Sequence, residues 1–174
     1  MPEPHFTLQT QKLIVDISIR SPKWDNIHYD INKYCQELFA LAFSIIFRHY
    51  LINDYIEISL LLTNNQELHF LNNKYRKKNS PTNVLSFPFY TKDVVLNIMR
   101  SKSNIFLGDI AVSFERIFDE NIKHERNFMK YFSRILVHGL LHLLGYTHES
   151  DNTAKTMQNL ESRIIDAIDF NKHK

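Results

Sequence analysis

The sequence predicts an α/β domain of the α+β kind: one mixed sheet of about four strands with helices packed on it. Three observations carry this. Four segments rich in β-branched and aromatic residues are separated by stretches of helical periodicity. Strands and helices alternate in the first two thirds of the chain, and helical patterns gather at the end. The chain has 174 residues, the length of one ordinary domain, so residues 1–174 are read as a single unit.

Leu13 to Ile19, "LIVDISI", is β-branched and partly alternating, which predicts a strand that Pro22 ends. From Ile27 to Tyr50, Ile31, Tyr34, Leu38, Ala42, Ile45 and Ile46 recur at helical spacing and predict a long helix. Tyr55 to Thr63 is a second strand. Asn64 or Asn65 caps a helix that carries Leu68, Leu71 and Tyr75 on one face. Lys77 to Asn83 is a polar loop. Val84 to Tyr90 is a third strand, and Pro88 places it at a sheet edge or at a strand end. Thr91 to Asn104 shows no period and reads as loop. Ile105 to Phe114 is a fourth strand with Gly108 at a bulge or close approach. Helical patterns follow at Glu115 to Lys123 and Asn127 to Leu144. Ser150 or Asp151 caps a last helix bearing Met157, Leu160, Ile164 and Ile168.

Composition excludes several classes. Hydrophobic residues make up 44% of the chain, with 13 Phe and 8 Tyr, enough for a full core. The net charge of +2 and a pI near 8.6 permit a nucleic-acid partner without requiring one. Cys35 is the single cysteine, so no intrachain disulfide forms, and a reducing compartment fits. The N-terminus lacks the basic and apolar regions of a signal peptide. The most apolar stretch, Leu38 to Phe47, is shorter than the roughly 20 residues a bilayer needs. The expectation is a cytoplasmic protein with no membrane association.

Val137 to Glu149, "VHGLLHLLGYTHE", holds the chemistry. His138 and His142 stand four apart on one helix, so their imidazoles lie side by side. Gly145 can end that helix with positive φ, and the chain can then return His148 to the same point. Three histidines with a fourth position left for water is the pattern of a catalytic metal, one per chain, with zinc favoured. The pattern H-G-x-x-H-x-x-G-x-x-H differs from the metzincin protease pattern in one place: Gly139 stands where the protease has its glutamate base. Glycine in a helix costs about 1 kcal/mol against alanine. Its presence points to close approach of substrate or backbone, or to a strand packed there.

"HGLLHLLGYTH" resembles the H-G-x-L-H-L-x-G-Y-D-H signature of the YbeY family, bacterial endoribonucleases and ribosomal RNA maturation factors. "LNNKYRKKNSPTNVLSFP", Leu71 to Pro88, is similar to that family's central motif, and "LGDIAVS", Leu107 to Ser113, to its G-D-I strand. The resemblance implies a single α/β domain with zinc on His138, His142 and His148. It implies cleavage of single-stranded RNA, chiefly ribosomal RNA, in small-subunit 3′-end maturation and ribosome quality control. The ribosome and ribosome-associated proteins are the partners it implies. It also maps a functionally important arginine onto Arg76, which lies among Lys74, Lys77 and Lys78, as a catalytic and substrate-binding residue. A guanidinium grips phosphate in a fixed fork, and phosphate contacts dominate nucleic-acid affinity. The chain departs from the signature at Thr147, where the family has aspartate.

Other polar residues admit two roles. Thr82, Asn83 and Ser86 line a groove or make turns and caps. Asp109 orients a ligand histidine or water, or makes a structural hydrogen bond. Glu149 is a base or an exposed residue before the last helix. His5, His28, His49, His69, His124 and His173 share no ligand spacing with the three. Two further readings compete: a metallopeptidase with Asp109 or Glu149 as replacement base, and a non-catalytic ribosome assembly factor with a structural metal.

Overall fold

The structure, a computed structural model, describes residues 12–47, 55–99, 104–123 and 127–168. Its sheet has four strands: β1 (Lys12–Ile19), β2 (Tyr55–Thr63), β3 (Val84–Pro88) and β4 (Asn104–Ser113). They lie in the order β1-β2-β4-β3. The first three of that order run parallel and β3 is antiparallel on the edge. The helices are α1 (Ile31–Phe47), α2 (Asn65–Arg76), α3 (Lys92–Ile98), α4 (Phe114–Lys123), α5 (Phe128–Leu143) and α6 (Asp151–Asp166). The four predicted strands and the mixed sheet are all present.

The main core lies between one sheet face and α1, α5 and α6. Ile56, Ile58, Leu60 and Leu62 alternate inward from β2 against Phe39, Phe132, Leu136 and Leu140. Helix α5 is apolar on nearly every side and is buried as such a helix must be. Tyr34 of α1 and Ser133 of α5 share a buried hydroxyl hydrogen bond of 2.5 Å, which ties these helices across the core. On the other face Leu68 of α2 packs on Leu85 and Ala111. The sheet, through β4 and the edge strand β3, therefore separates α2 from α5.

Three segments differ from the sequence expectation. Helix α1 starts at Ile31, four residues later than Ile27, because Asp30 Oδ1 accepts from the Lys33 amide at 3.0 Å and caps it there. The predicted end, beyond Phe47, lies outside the described residues. A 3-10 turn at Pro22–Asn26, with Ser21 as its cap, follows β1 and buries Trp24. The stretch read as loop, Thr91 to Asn104, contains α3. Gly108 sits where β4 shifts register against β2, with φ +134°, as a bulge requires. Pro88 ends β3, where the edge leaves its missing N–H without cost.

Candidate active site

Helix α5 delivers His138 and His142 to its exposed end. Gly145 then closes the helix with φ +84°: its amide donates to the His142 carbonyl at 3.0 Å, and the Tyr146 amide donates to Leu141 at 2.9 Å. This pair of bonds is the Schellman motif, and it turns the chain so that His148 faces the other two rings. One nitrogen from each of His138, His142 and His148 falls within 4.8 Å of the others. The sequence expectation of one convergent group is met.

A side chain at position 145 would be strained by its backbone and would also meet Lys92 Cα at 2.7 Å. Gly145→Ala should cost about 1–3 kcal/mol and shift His148 away from its partners. Thermal unfolding and metal titration of the same preparation check both parts.

The ring orientations suit a cation. His142 Nδ1 lies 3.0 Å from the Tyr146 carbonyl, an acceptor, so Nδ1 carries the proton and Nε2 is left as a lone pair. His138 Nδ1 lies 3.2 Å from Glu161 Oε2, which fixes the same tautomer. The two Nε2 atoms then face each other at 3.1 Å. With Nδ1 of each ring on an acceptor, both Nε2 atoms are turned toward one spot, as two ligands of a shared ion would be. Two ligands on a tetrahedral ion at about 2.0–2.1 Å stand roughly 3.3 Å apart, so the spacing fits. Burial, the neighbouring His138 and His148, and the Arg76 cation together push His142 down to about 4, against the bond to Tyr146. His142 is therefore neutral, the form that binds metal, at any pH near 7.

Glu161 is the residue that sequence reading missed. It is buried in α6, with Oε1 2.7 Å from Arg134 Nη1 and Oε2 on His138. Burial alone raises a carboxyl pKa; the bonds to His138 and Arg134 outweigh it and hold Glu161 below the ordinary range. A signal was present. Met157, Glu161 and Ile165 recur every four residues and all three are buried, so a lone acid stood inside the apolar stripe of α6. Glu161→Gln keeps the shape and removes the charge. It should lower metal affinity about 10- to 100-fold, read by competition with a chelator, while the fold is retained.

Arg76 ends α2 on the far side of β3. Lys77, with φ +57°, stops the helix there. The Arg76 side chain reaches the open edge of β3, donating from Nη2 to the Ser86 carbonyl at 2.6 Å. Its guanidinium lies 5.9 Å from the Phe87 ring centre. It lines a cleft of about 780 Å³ whose other side carries His138, His142 and His148. Arginine and histidines thus meet across one groove although they come from opposite faces of the sheet.

The remaining candidates separate. Thr82, Asn83 and Ser86 line this cleft and also hold its wall. Thr82 Oγ1 donates to the Val84 carbonyl, Asn83 Nδ2 to Glu120, and Ser86 Oγ to the Gly139 carbonyl at 3.2 Å. Thr147 and Glu149 lie on the cleft too. Asp109 does not. Its neighbour Ile110 meets Gly139 on the α5 side, so the exposed Asp109 projects from the opposite face of the sheet. A carbon at position 139 would sit 3.1 Å from Ile110 Cγ2 and 3.2 Å from Ser86 Oγ. Tight packing of β3 and β4 against α5 therefore accounts for that glycine, and any side chain there would have to displace Ser86 or Ile110 slightly.

The sequence profile described as Endoribonuclease YbeY matches residues 23–169, which include every site residue above. This chain belongs to the YbeY family. The Endoribonuclease YbeY of Wolbachia pipientis subsp. Culex pipiens is 33% identical over 162 residues, 92% of this chain and 98% of that one. That of Bartonella quintana is 31% identical over 160 residues, 91% and 95% of the two chains. That of Thermodesulfovibrio yellowstonii is 38% identical over 112 residues, 64% of this chain and 66% of its own. A Thermotoga maritima protein solved in solution shares the fold, with a TM-score of 0.57 and 22% identity over 88% of this chain and 87% of that one. YbeY relatives are endoribonucleases by name. Among the described residues no helix is long and apolar enough to cross a membrane.

Proposed function

We propose that this chain, acting as a single domain over residues 1–174, is a zinc-dependent endoribonuclease. It acts on single-stranded ribosomal RNA in the cytoplasm, in small-subunit 3′-end maturation and ribosome quality control. The observation that carries the reading is the cleft that joins three convergent imidazoles to Arg76 in a chain of the YbeY family. His138, His142 and His148 hold one zinc. A bound zinc supplies polarisation of a phosphoryl oxygen and a lowered water pKa. Glu161 and the Tyr146 carbonyl keep Nε2 of the first two rings turned toward the ion. Arg76 holds a phosphate of the substrate and offsets charge that develops in the transition state. Its anchor on Ser86 sets the fork in place before substrate arrives.

Gly139 weighs against peptidase chemistry, because it stands where the protease pattern has its glutamate base and its Cβ position is tightly packed. Elemental analysis followed by incubation with ribosomal RNA and with denatured protein tests the reading. The expected result is zinc near one per chain and cleavage of RNA alone. Protein cleavage, or a metal-free preparation that cuts RNA at the full rate, would overturn it. A folded histidine variant that still supports ribosome maturation would make the metal a structural brace.

A further inference from the structure

Two large rings stand in water beside the cleft. Tyr75 is 57% exposed and Phe89 66%. The core closes without either. Each is backed by another ring at an edge-to-face angle. Tyr75 packs against Phe87 at 5.5 Å and 71°, and Phe89 against Phe106 at 5.8 Å and 71°. Such pairs hold a ring in place, and both rings nevertheless stay more than half exposed. Both rings adjoin cleft residues. Tyr75 precedes Arg76, and Phe89 lies between Pro88 and Tyr90, its ring 5.0 Å from that of Tyr90.

The surroundings are cationic. Lys74 Nζ lies 5.1 Å from the centre of the Tyr75 ring, and Arg76 reaches over Phe87. Lys77 and Lys78 follow directly and are exposed. Among the described residues none of these four cations takes part in an ion pair. Two carboxylates temper this: Asp109 stands in register beside Phe87, and Glu149 lies on the cleft. An occupant that matches exposed rings among unpaired cations is anionic and carries flat apolar faces of its own.

We infer that Tyr75 and Phe89 form a stacking rim for bases of single-stranded RNA that flank the cut, with Lys74, Lys77 and Lys78 following the backbone. This rests on the endoribonuclease reading and adds to it a reason for preferring single strands. A duplex hides its base faces, whereas a single strand offers each one to an aromatic ring. It also sets a length requirement, since a strand that fills only the cleft does not reach the rim.

Binding of labelled 2′-O-methyl oligoadenylates, chosen to resist cleavage, tests this with three- and ten-nucleotide strands. Tyr75→Ala and Phe89→Ala should each weaken the ten-nucleotide strand about five- to hundredfold, the range for one lost stack. The three-nucleotide strand should bind all proteins alike. Tyr75→Trp should restore binding, whereas Tyr75→Leu, apolar without a π face, should not. Unchanged melting temperatures keep the comparison free of folding effects. Wild-type affinity for the ten-nucleotide strand in both alanine variants would overturn the rim while leaving the endoribonuclease reading intact. Rescue by leucine, or loss of ribosome association with naked-RNA binding unchanged, would make this face a protein-docking surface and overturn the rim equally. Absence of RNA binding by the wild-type protein would sink both readings together.

Discussion

His142→Ala should leave the protein folded, without metal and without RNA cleavage. His142 projects from the end of α5 into the cleft and is half-buried, so its loss opens little of the core. Its ring meets His138 at 4.6 Å and His148 at 5.1 Å between centres, which places it between the other two ligands. Two remaining imidazoles do not complete a site that needs three protein ligands. Metal affinity should fall by at least about a hundredfold, the upper end of what loss of an outer partner causes. Cleavage should fall to background. The metal-free variant should melt close to the metal-free wild type, because the half-buried ring gives that state only its contacts to the Tyr146 carbonyl and to His138 Nε2. Zinc content, melting temperature and cleavage of ribosomal RNA on one preparation check all three. Full zinc occupancy in His142→Ala would show that the metal sits elsewhere.

How much of this was legible beforehand depends on whether each feature is local. The strands were readable because β-branched runs bounded by turn residues need no tertiary information. The three histidines were readable because helical spacing and one glycine define their geometry within eleven residues. Helix α3 was not. It has two turns and one fully buried residue, Val95, while Val94 and Leu96 are 43% and 40% exposed. Apolar residues on its wet side erased the period. The capping role of Asp30 was masked in the same way by Ile27 and Tyr29, which extend an apolar pattern upstream of the helix. Glu161 was missed because its partners, Arg134 and His138, are 27 and 23 residues away. Asp109, weighed as an orienting acid on the strength of its place in an apolar strand, lies on the other face of the sheet. The Gly108 bulge set that face: it shifts the register between Phe106 and Asp109, so counting by twos along β4 misplaces the side chain.

Arg76→Ala should separate chemistry from both stability and metal binding. The side chain is exposed, and its one hydrogen bond goes to the carbonyl of Ser86, a buried residue on the edge strand. Stability should therefore fall by about 1–2 kcal/mol, with the fold retained. Zinc content should hold, because Arg76 is not a ligand. Its cation is among the groups that press His142 toward neutrality, so its removal takes away one charge that opposes a divalent ion. Cleavage is where the loss appears. One charge-assisted contact to phosphate contributes about 1.5–3 kcal/mol, which is roughly ten- to hundredfold in kcat/KM. Arg76→Lys should recover part of this. An ammonium restores charge beside the cleft but cannot hold Ser86 and a phosphate in one plane, so the geometry set by the fork is lost. If the contact strengthens in the transition state, kcat falls with kcat/KM; if it is equal in both states, KM alone rises. A wild-type rate in Arg76→Ala would remove the arginine from the mechanism. A collapsed melting temperature would assign it instead to bracing the edge of β3 from α2.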